Sequence, residues 1–273
     1  MQEYGTRLAG KVAIVTGAGT RGEVVGTGQA TSILYARQGA KVLLVEINQQ
    51  NAEKTLATIE KEEGTASIFM ADVTQSDQCQ AMADEAVSRY GSIDILSNNV
   101  GIGSTGTVLD AEESEWDRVL NVNLKSMFLT SKFVIPRMIE TCTSGGSIIN
   151  IASIDGMRAN WWPNISYAAS KAGAIGMSRN MAVHHGRDNI RVNSIAPGHI
   201  FASMVGDMPD ELRQLRQQAG PLGTEGTAWD IAWASVFLAS DEARWISGVV
   251  LPVDAGLFAS TPLAMLRRIQ DEA

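Results

Sequence analysis

Val12-Ala13-Ile14-Val15-Thr16-Gly17-Ala18-Gly19-Thr20 decides how this chain folds, together with Val42-Leu43-Leu44-Val45-Glu46 further on. The first stretch is a short apolar, β-branched run that ends in glycines, the mark of a buried strand entering a tight turn. A helical pattern follows over Thr27 to Gln38, and the second run ends on a carboxylate. Strand, glycine turn, helix and acid-tipped strand form one βαβ unit, the kind that holds a pyrophosphate against a helix N-terminus. Glu46 lies eighteen residues past Gly28, near the distance at which such a unit sets a carboxylate on the adenosine ribose. A carboxylate there accepts from both ribose hydroxyls and repels a 2′-phosphate, which favours NAD over NADP. The alternative for Glu46 is a solvated strand-end residue.

The same alternation continues to the end of the chain. Apolar runs at Lys11 to Thr16, Lys41 to Glu46, Ser67 to Ala71, Ile93 to Ser97, Ser147 to Ala152, Ile190 to Ile195 and Val249 to Val253 read as strands. Between them lie helical patterns at Thr27 to Gln38, Gln50 to Glu63, Ser76 to Tyr90, Glu112 to Glu140, Tyr167 to His185, Asp210 to Gln218 and Thr227 to Ser240. Repeated βαβ units imply an α/β fold: one Rossmann-type, doubly wound domain over residues 1–273, with a seven-stranded parallel sheet and helices on both faces. The stretch from Glu112 to Glu140 is long for one globular helix, so it is expected to bend or to pack on another subunit.

Composition narrows the function classes. The 273 residues are 45% hydrophobic and 19% charged, with a net charge of −8. That acidic balance argues against nucleic acid or an anionic membrane as partner and favours a small molecule. The N-terminus lacks the apolar core of a signal peptide and no run is long enough to span a bilayer, so a cytoplasmic location is expected. Cys79 and Cys142 read as reduced packing residues, and His184, His185 and His199 form no recognisable ligand set, so no catalytic metal is expected.

Tyr167 and Lys171 stand four positions apart at the head of a predicted helix, hence on one face. A fixed cation beside a phenol favours the phenolate, which is the basis for acid/base work by Tyr167. Alone, such a pair is usually a core tyrosine beside a solvated lysine.

Together these motifs resemble the short-chain dehydrogenase/reductase family over most of the chain. Its Thr-Gly-x-x-x-Gly-x-Gly pattern is present but stretched. Thr16, Gly17, Gly19 and Thr20 match its start and Gly26, Thr27 and Gly28 its end, with Arg21-Gly22-Glu23-Val24-Val25 inserted between. Two unstretched spacings, Gly17-x-Gly19-x-x-Gly22 and Gly22-x-x-x-Gly26-x-Gly28, also fit. The insertion is preferred because the helical pattern after Gly28 runs unbroken to the second strand. All five inserted residues are expected in a solvent-facing bulge, although Arg21 could reach a phosphate and compete with Glu46 in cofactor choice.

The resemblance further implies adenine contacts from Asp72 and Val73, a turn Asn98-Asn99-Val100-Gly101 beside the cofactor, and nicotinamide contacts from Pro197, Gly198 and the backbone of Ile200. The family's usual threonine, four positions after that glycine, is here Ala202, with Ser203 next to it. It also implies a catalytic set of Asn123, Ser153, Tyr167 and Lys171. Tyr167 is then the acid/base; Lys171 lowers its pKa and binds the nicotinamide ribose; Ser153 holds the substrate oxygen; Asn123 holds a water that passes the proton on.

The expected activity is NAD-dependent interconversion of a secondary alcohol and its ketone. The alternatives are an NADP-preferring reductase of the same family and a nucleotide-binding regulator without turnover. Trp161-Trp162-Pro163, between Ser153 and Tyr167, suits a pocket for an apolar or aromatic alcohol, or a cap on the core or a subunit contact. Asp155, Arg158, His199 and Met204 flank the region, and Arg158 could bind a carboxylate. Residues 199–220 resemble the family's substrate lid. The segment 257–273, with Leu257, Phe258, Leu263, Met265, Leu266 and Ile269, is expected to dock at a subunit interface of a homotetramer, a dimer being the second choice.

Overall fold

A computed structural model of the chain describes residues 5–142 and 144–271. Its strands are β1 (Val12–Thr16), β2 (Lys41–Glu46), β3 (Thr65–Met70), β4 (Ile95–Asn98), β5 (Gly146–Ile151), β6 (Ile190–Pro197), β7 (Ile200–Phe201), β8 (Gly226–Thr227) and β9 (Val250–Val253). Its helices are α1 (Thr27–Arg37), α2 (Gln49–Lys61), α3 (Ser76–Tyr90), α4 (Glu113–Leu120), α5 (Ser126–Thr141), α6 (Ile165–His184), α7 (Asp210–Ala219), α8 (Ala228–Ala239) and α9 (Pro262–Asp271). The main sheet has seven strands in the order β3-β2-β1-β4-β5-β6-β9, every pairing parallel. Strand order reverses between β1 and β4, and the crevice at the carboxyl ends of those strands is where this topology binds ligands.

Alternation along the strands divides the core in two. Ala13, Val15, Val42 and Leu44 face α1 and α8, whereas Ile14, Leu43, Val45 and Leu96 face α3 and α5. Both faces are buried, which is why these strands read as unbroken apolar runs. Pro252 fits in β9 because that strand pairs only with β6 and is an edge.

The long helical stretch is continuous but not uniform. A π-helical segment, Asn121–Lys125, joins α4 to α5, and such insertions commonly interrupt helices at functional positions. The expectation that all five residues of Arg21 to Val25 face solvent is corrected. Arg21, Gly22 and Glu23 are exposed, but Val24 and Val25 turn inward and Val25 packs against the core of α1 and α8. Two valines gain more from burial than from a solvated bulge. The insertion itself holds: α1 starts at Thr27 with Gly26 as its N-cap.

The segment read as a lid comprises β7, a 3-10 turn at Ser203–Val205 and α7, with β7 paired to β8 outside the main sheet. In the tail, Leu257 and Met265 are buried within the same chain and α9 contacts α7, while Leu263 and Leu266 remain exposed. The side chain of Ile269 lies outside the described residues. Among the described residues no helix is long and apolar enough to cross a membrane, and no three His, Cys, Asp or Glu side chains converge as metal ligands.

Candidate active site

The glycine turn is built by close approach. A Cβ on Gly28 would lie 1.9 Å from the carbonyl oxygen of Gly17, and one on Gly19 would lie 2.6 Å from the Cβ of Asn51. No side chain larger than hydrogen fits at either position. Gly17 also has φ near +62°, a conformation that favours glycine. Glu46 fastens this turn: its carboxylate accepts from the N–H groups of Gly19 at 2.9 Å, Ile47 at 3.0 Å and Asn48 at 3.2 Å. Thr20 closes the inserted loop by donating to the Val24 carbonyl at 2.6 Å.

Across the crevice, Asn99 donates its backbone N–H to Thr16 Oγ1 at 3.2 Å and its side-chain amide to Ser97. Its buried Oδ1 has no partner. A buried acceptor without a donor is costly. The orphan therefore fits a bound group with hydroxyls. At the N-terminus of α1 the cap Gly26 offers no side-chain acceptor to the first-turn N–H groups. Cradle, free N–H groups and orphan acceptor together fit a dinucleotide.

The other expected cofactor contacts occupy the same edge. The Asp72 carboxylate accepts from the Thr74 N–H and hydroxyl and lies within 3.4 Å of Gln75 Nε2, while the Val73 side chain is buried in the core. A Cβ on Gly101 would come within 3.3 Å of Lys171 Nζ, and one on Gly17 within 3.2 Å of Val100, so the turn after β4 links the two halves of the site. Gly198 passes so close to Asp254 that a Cβ would clash at 2.4 Å. The Ile200 N–H donates to the Gly198 carbonyl at 2.9 Å, and the Ile200 carbonyl accepts from Arg216 at 3.3 Å. Ala202 is a core residue, and Ser203 Oγ sits over Gly26, where an added Cβ would approach it to 2.9 Å. The neighbouring hydroxyl thus faces the glycine turn.

Ser153 follows β5 and caps a 3-10 turn, its Oγ accepting from Asp155 N at 3.1 Å. Tyr167 lies in the first turn of α6, where its N–H donates to Ser104 Oγ at 3.0 Å. Tyr167 is half-buried, and Ser153 acts on its hydroxyl as a hydrogen-bond partner. Lys171, one turn on, is 2% exposed and donates to the Ile151 carbonyl at 2.8 Å, with Nζ 5.6 Å from the centre of the Tyr167 ring.

The expectation that Lys171 lowers the Tyr167 pKa is corrected. Burial pushes the phenol up to about 12, Ser153 opposes this and Asp155 reinforces it. Lys171 is not among the groups acting on the phenol: its ammonium donates to the Ile151 carbonyl, and burial brings its own pKa down to about 8.

The Asn123 side-chain amide is engaged within the chain. It accepts from Ile102 N at 2.8 Å and donates to Ile102 O at 2.9 Å and to Ser170 Oγ at 3.1 Å. It pins the loop after β4 to α6.

Trp161 and Trp162 meet edge to face at 5.5 Å, and both rings are largely exposed, so neither caps the core of this chain. Sequence reading missed Ser104 and Arg216. Ser104 sits in a glycine-rich loop that any small polar residue suits. Arg216 lies on a polar helix whose docking only the tertiary fold reveals.

A family model described as enoyl-(acyl carrier protein) reductase matches residues 22–258. The 3-oxoacyl-[acyl-carrier-protein] reductase FabG of Thermotoga maritima is 38% identical over 251 residues, covering 92% of this chain and 99% of that protein. A crystal structure of a short-chain dehydrogenase/reductase from Burkholderia xenovorans superposes with a TM-score of 0.89 at 39% identity, over 94% of this chain and 99% of that one. The chain belongs to the short-chain dehydrogenase/reductase family. Meso-2,3-butanediol dehydrogenase of Serratia marcescens is 32% identical over 254 residues, 93% of this chain and 97% of that protein. These relatives are named for different substrates, so family membership gives an oxidoreductase that uses a nicotinamide dinucleotide and leaves the substrate to the residues over the site.

Proposed function

We propose that the protein interconverts a secondary alcohol and its ketone with NAD as the hydride partner. The observation that carries this reading is the cluster of Tyr167, Ser153 and Lys171 at the carboxyl edge of the sheet, beside the glycine turn. The dinucleotide would be held by Gly17, Gly19, Gly26, Gly28, Asn99 and Glu46. Bound there, the nicotinamide supplies the hydride acceptor or donor.

The chain's own residues move the proton. In oxidation the Tyr167 phenolate takes the proton from the substrate hydroxyl; in reduction the phenol gives its proton to the ketone oxygen and becomes the phenolate. Ser153 Oγ holds the same oxygen. Lys171 supplies a buried cation one turn away, and Asn123 positions the loop that lines the site. With its pKa raised to about 12, the phenol is protonated at neutral pH, so reduction is expected to stay level across neutral pH while oxidation climbs with pH.

NAD is proposed over NADP because Glu46, a carboxylate at the end of β2 tied to the glycine turn through Gly19, would repel a 2′-phosphate. The substrate is a small molecule with an apolar or aromatic body, a reading supported by the Trp161 and Trp162 rings. A cytoplasmic homotetramer is proposed, with exposed Leu263 and Leu266 on the tail available to a second copy. A panel of secondary alcohols assayed at alkaline pH for NADH formation tests the reading. No NADH from any of them, with no NAD binding by calorimetry, contradicts it.

A further inference from the structure

Two guanidinium groups near the catalytic hydroxyls lack a carboxylate partner. Arg158 follows the turn capped by Ser153, and Arg216 reaches in from α7. Arg216 donates to Met208 Sδ at 3.0 Å and to the Ile200 carbonyl at 3.3 Å, and neither arginine forms an ion pair among the described residues. Arg158 Nε is buried with no partner, and so is Nδ1 of His199, on which both guanidinium groups act electrostatically.

The charged groups around this cluster leave it positive. Asp155 acts electrostatically on Tyr167, His199 and Arg216, which ties the cluster to the reacting hydroxyl. Its Oδ2 is occupied by the amides of Asn160 at 2.8 Å and Asn164 at 2.9 Å. Glu225, the other acid felt by Arg216, is held by both arms of Arg213 at 3.1 and 2.6 Å. Around His199, two half-buried cations therefore stand against one carboxylate, Asp155, a balance that favours a further anion.

We infer that Arg158 and Arg216, with His199, form a subsite for a carboxylate carried by the substrate, which makes the substrate a hydroxy acid or its keto acid. The inference rests on the reading of Tyr167 as the proton carrier. Arginine suits a carboxylate because its planar fork donates two parallel hydrogen bonds.

The test compares kcat/KM for 3-hydroxybutyrate and 4-hydroxypentanoate with that for their methyl esters, and measures 3-hydroxybutyrate binding to the NAD-loaded protein by calorimetry. The acids are expected to be preferred by about tenfold or more, as one charge-assisted contact allows. Arg158→Met and Arg216→Met should each bring the ratio close to one; two variants guard against one that loosens the lid. Equal use of acids and esters, or a ratio unchanged in both variants, overturns the subsite while leaving the hydride-transfer reading intact. Acid binding that is lost in both variants, without turnover of acid or ester, supports the subsite and overturns the reaction instead. Absence of acid binding overturns the subsite whatever the turnover.

Discussion

An ammonium group that is 2% exposed and has one carbonyl as its partner is destabilising, and Lys171 is such a group. Its pKa falls from 10.5 to about 8 in the folded chain. Between those values the unfolded chain binds the proton and the folded chain does not, so stability rises with pH through that window. Urea unfolding should show a gain of about 2 kcal/mol from about pH 7.5 to about pH 9.5, absent in Lys171→Met. An equal gain in the variant would mean that other groups dominate. A site residue this costly to bury is explained by chemistry rather than by packing. The spacing of Tyr167 and Lys171 was legible in the sequence, but the direction of the Tyr167 shift was not. It depends on burial and on where the ammonium points, neither of which the sequence states.

At the scale of elements, the π-helical turn between α4 and α5 decides where Asn123 points. Its amide satisfies both backbone groups of Ile102. Asn123→Ala leaves these without partners and should cost about 1–3 kcal/mol. If Asn123 also positions the reacting groups, kcat falls by about tenfold or more while the NAD dissociation constant holds; a loss of stability alone would mark it as structural. That the long helical stretch would not run as one ordinary helix was legible from its length, but the π turn was not, since nothing in Asn121-Val122-Asn123 sets it apart from an ordinary helix. The same is true of the buried polar ladder in which Asn98 donates to Asn150, Asn150 to Ser178, and Ser194 to Ser178, each at 2.8 Å across β4, β5, α6 and β6. Each residue reads alone as a polar interruption of an apolar strand or helix. Only parallel register, with Asn98 opposite Asn150 and Asn150 opposite Ser194, joins them.

For the molecule as a whole, the seven main strands were legible because both faces of a parallel sheet are buried and the strands read as apolar runs. The short pair β7 and β8 was not legible, because two residues carry no periodicity. The inward turn of Val24 and Val25 also depends on tertiary packing, against the core and beside Gly206, where an added Cβ would meet Val24 at 3.4 Å. Cofactor choice belongs to this scale, since it joins the end of β2 to the glycine turn. Glu46→Ala removes both the repulsion of a 2′-phosphate and the tether on Gly19. NADP should then raise the melting temperature more than it does in the parent protein, while the NAD effect shrinks. If NADP stabilises the parent and the variant equally, Glu46 does not set the preference.

The central claim is that the Tyr167 hydroxyl carries the proton. Tyr167→Phe removes that one oxygen from a residue whose backbone N–H is fixed by Ser104. Turnover of the best alcohol in the panel should fall by about a thousandfold, with the melting temperature and NAD binding preserved. Retention of more than about a tenth of the parent turnover, with cofactor binding intact, would contradict the account.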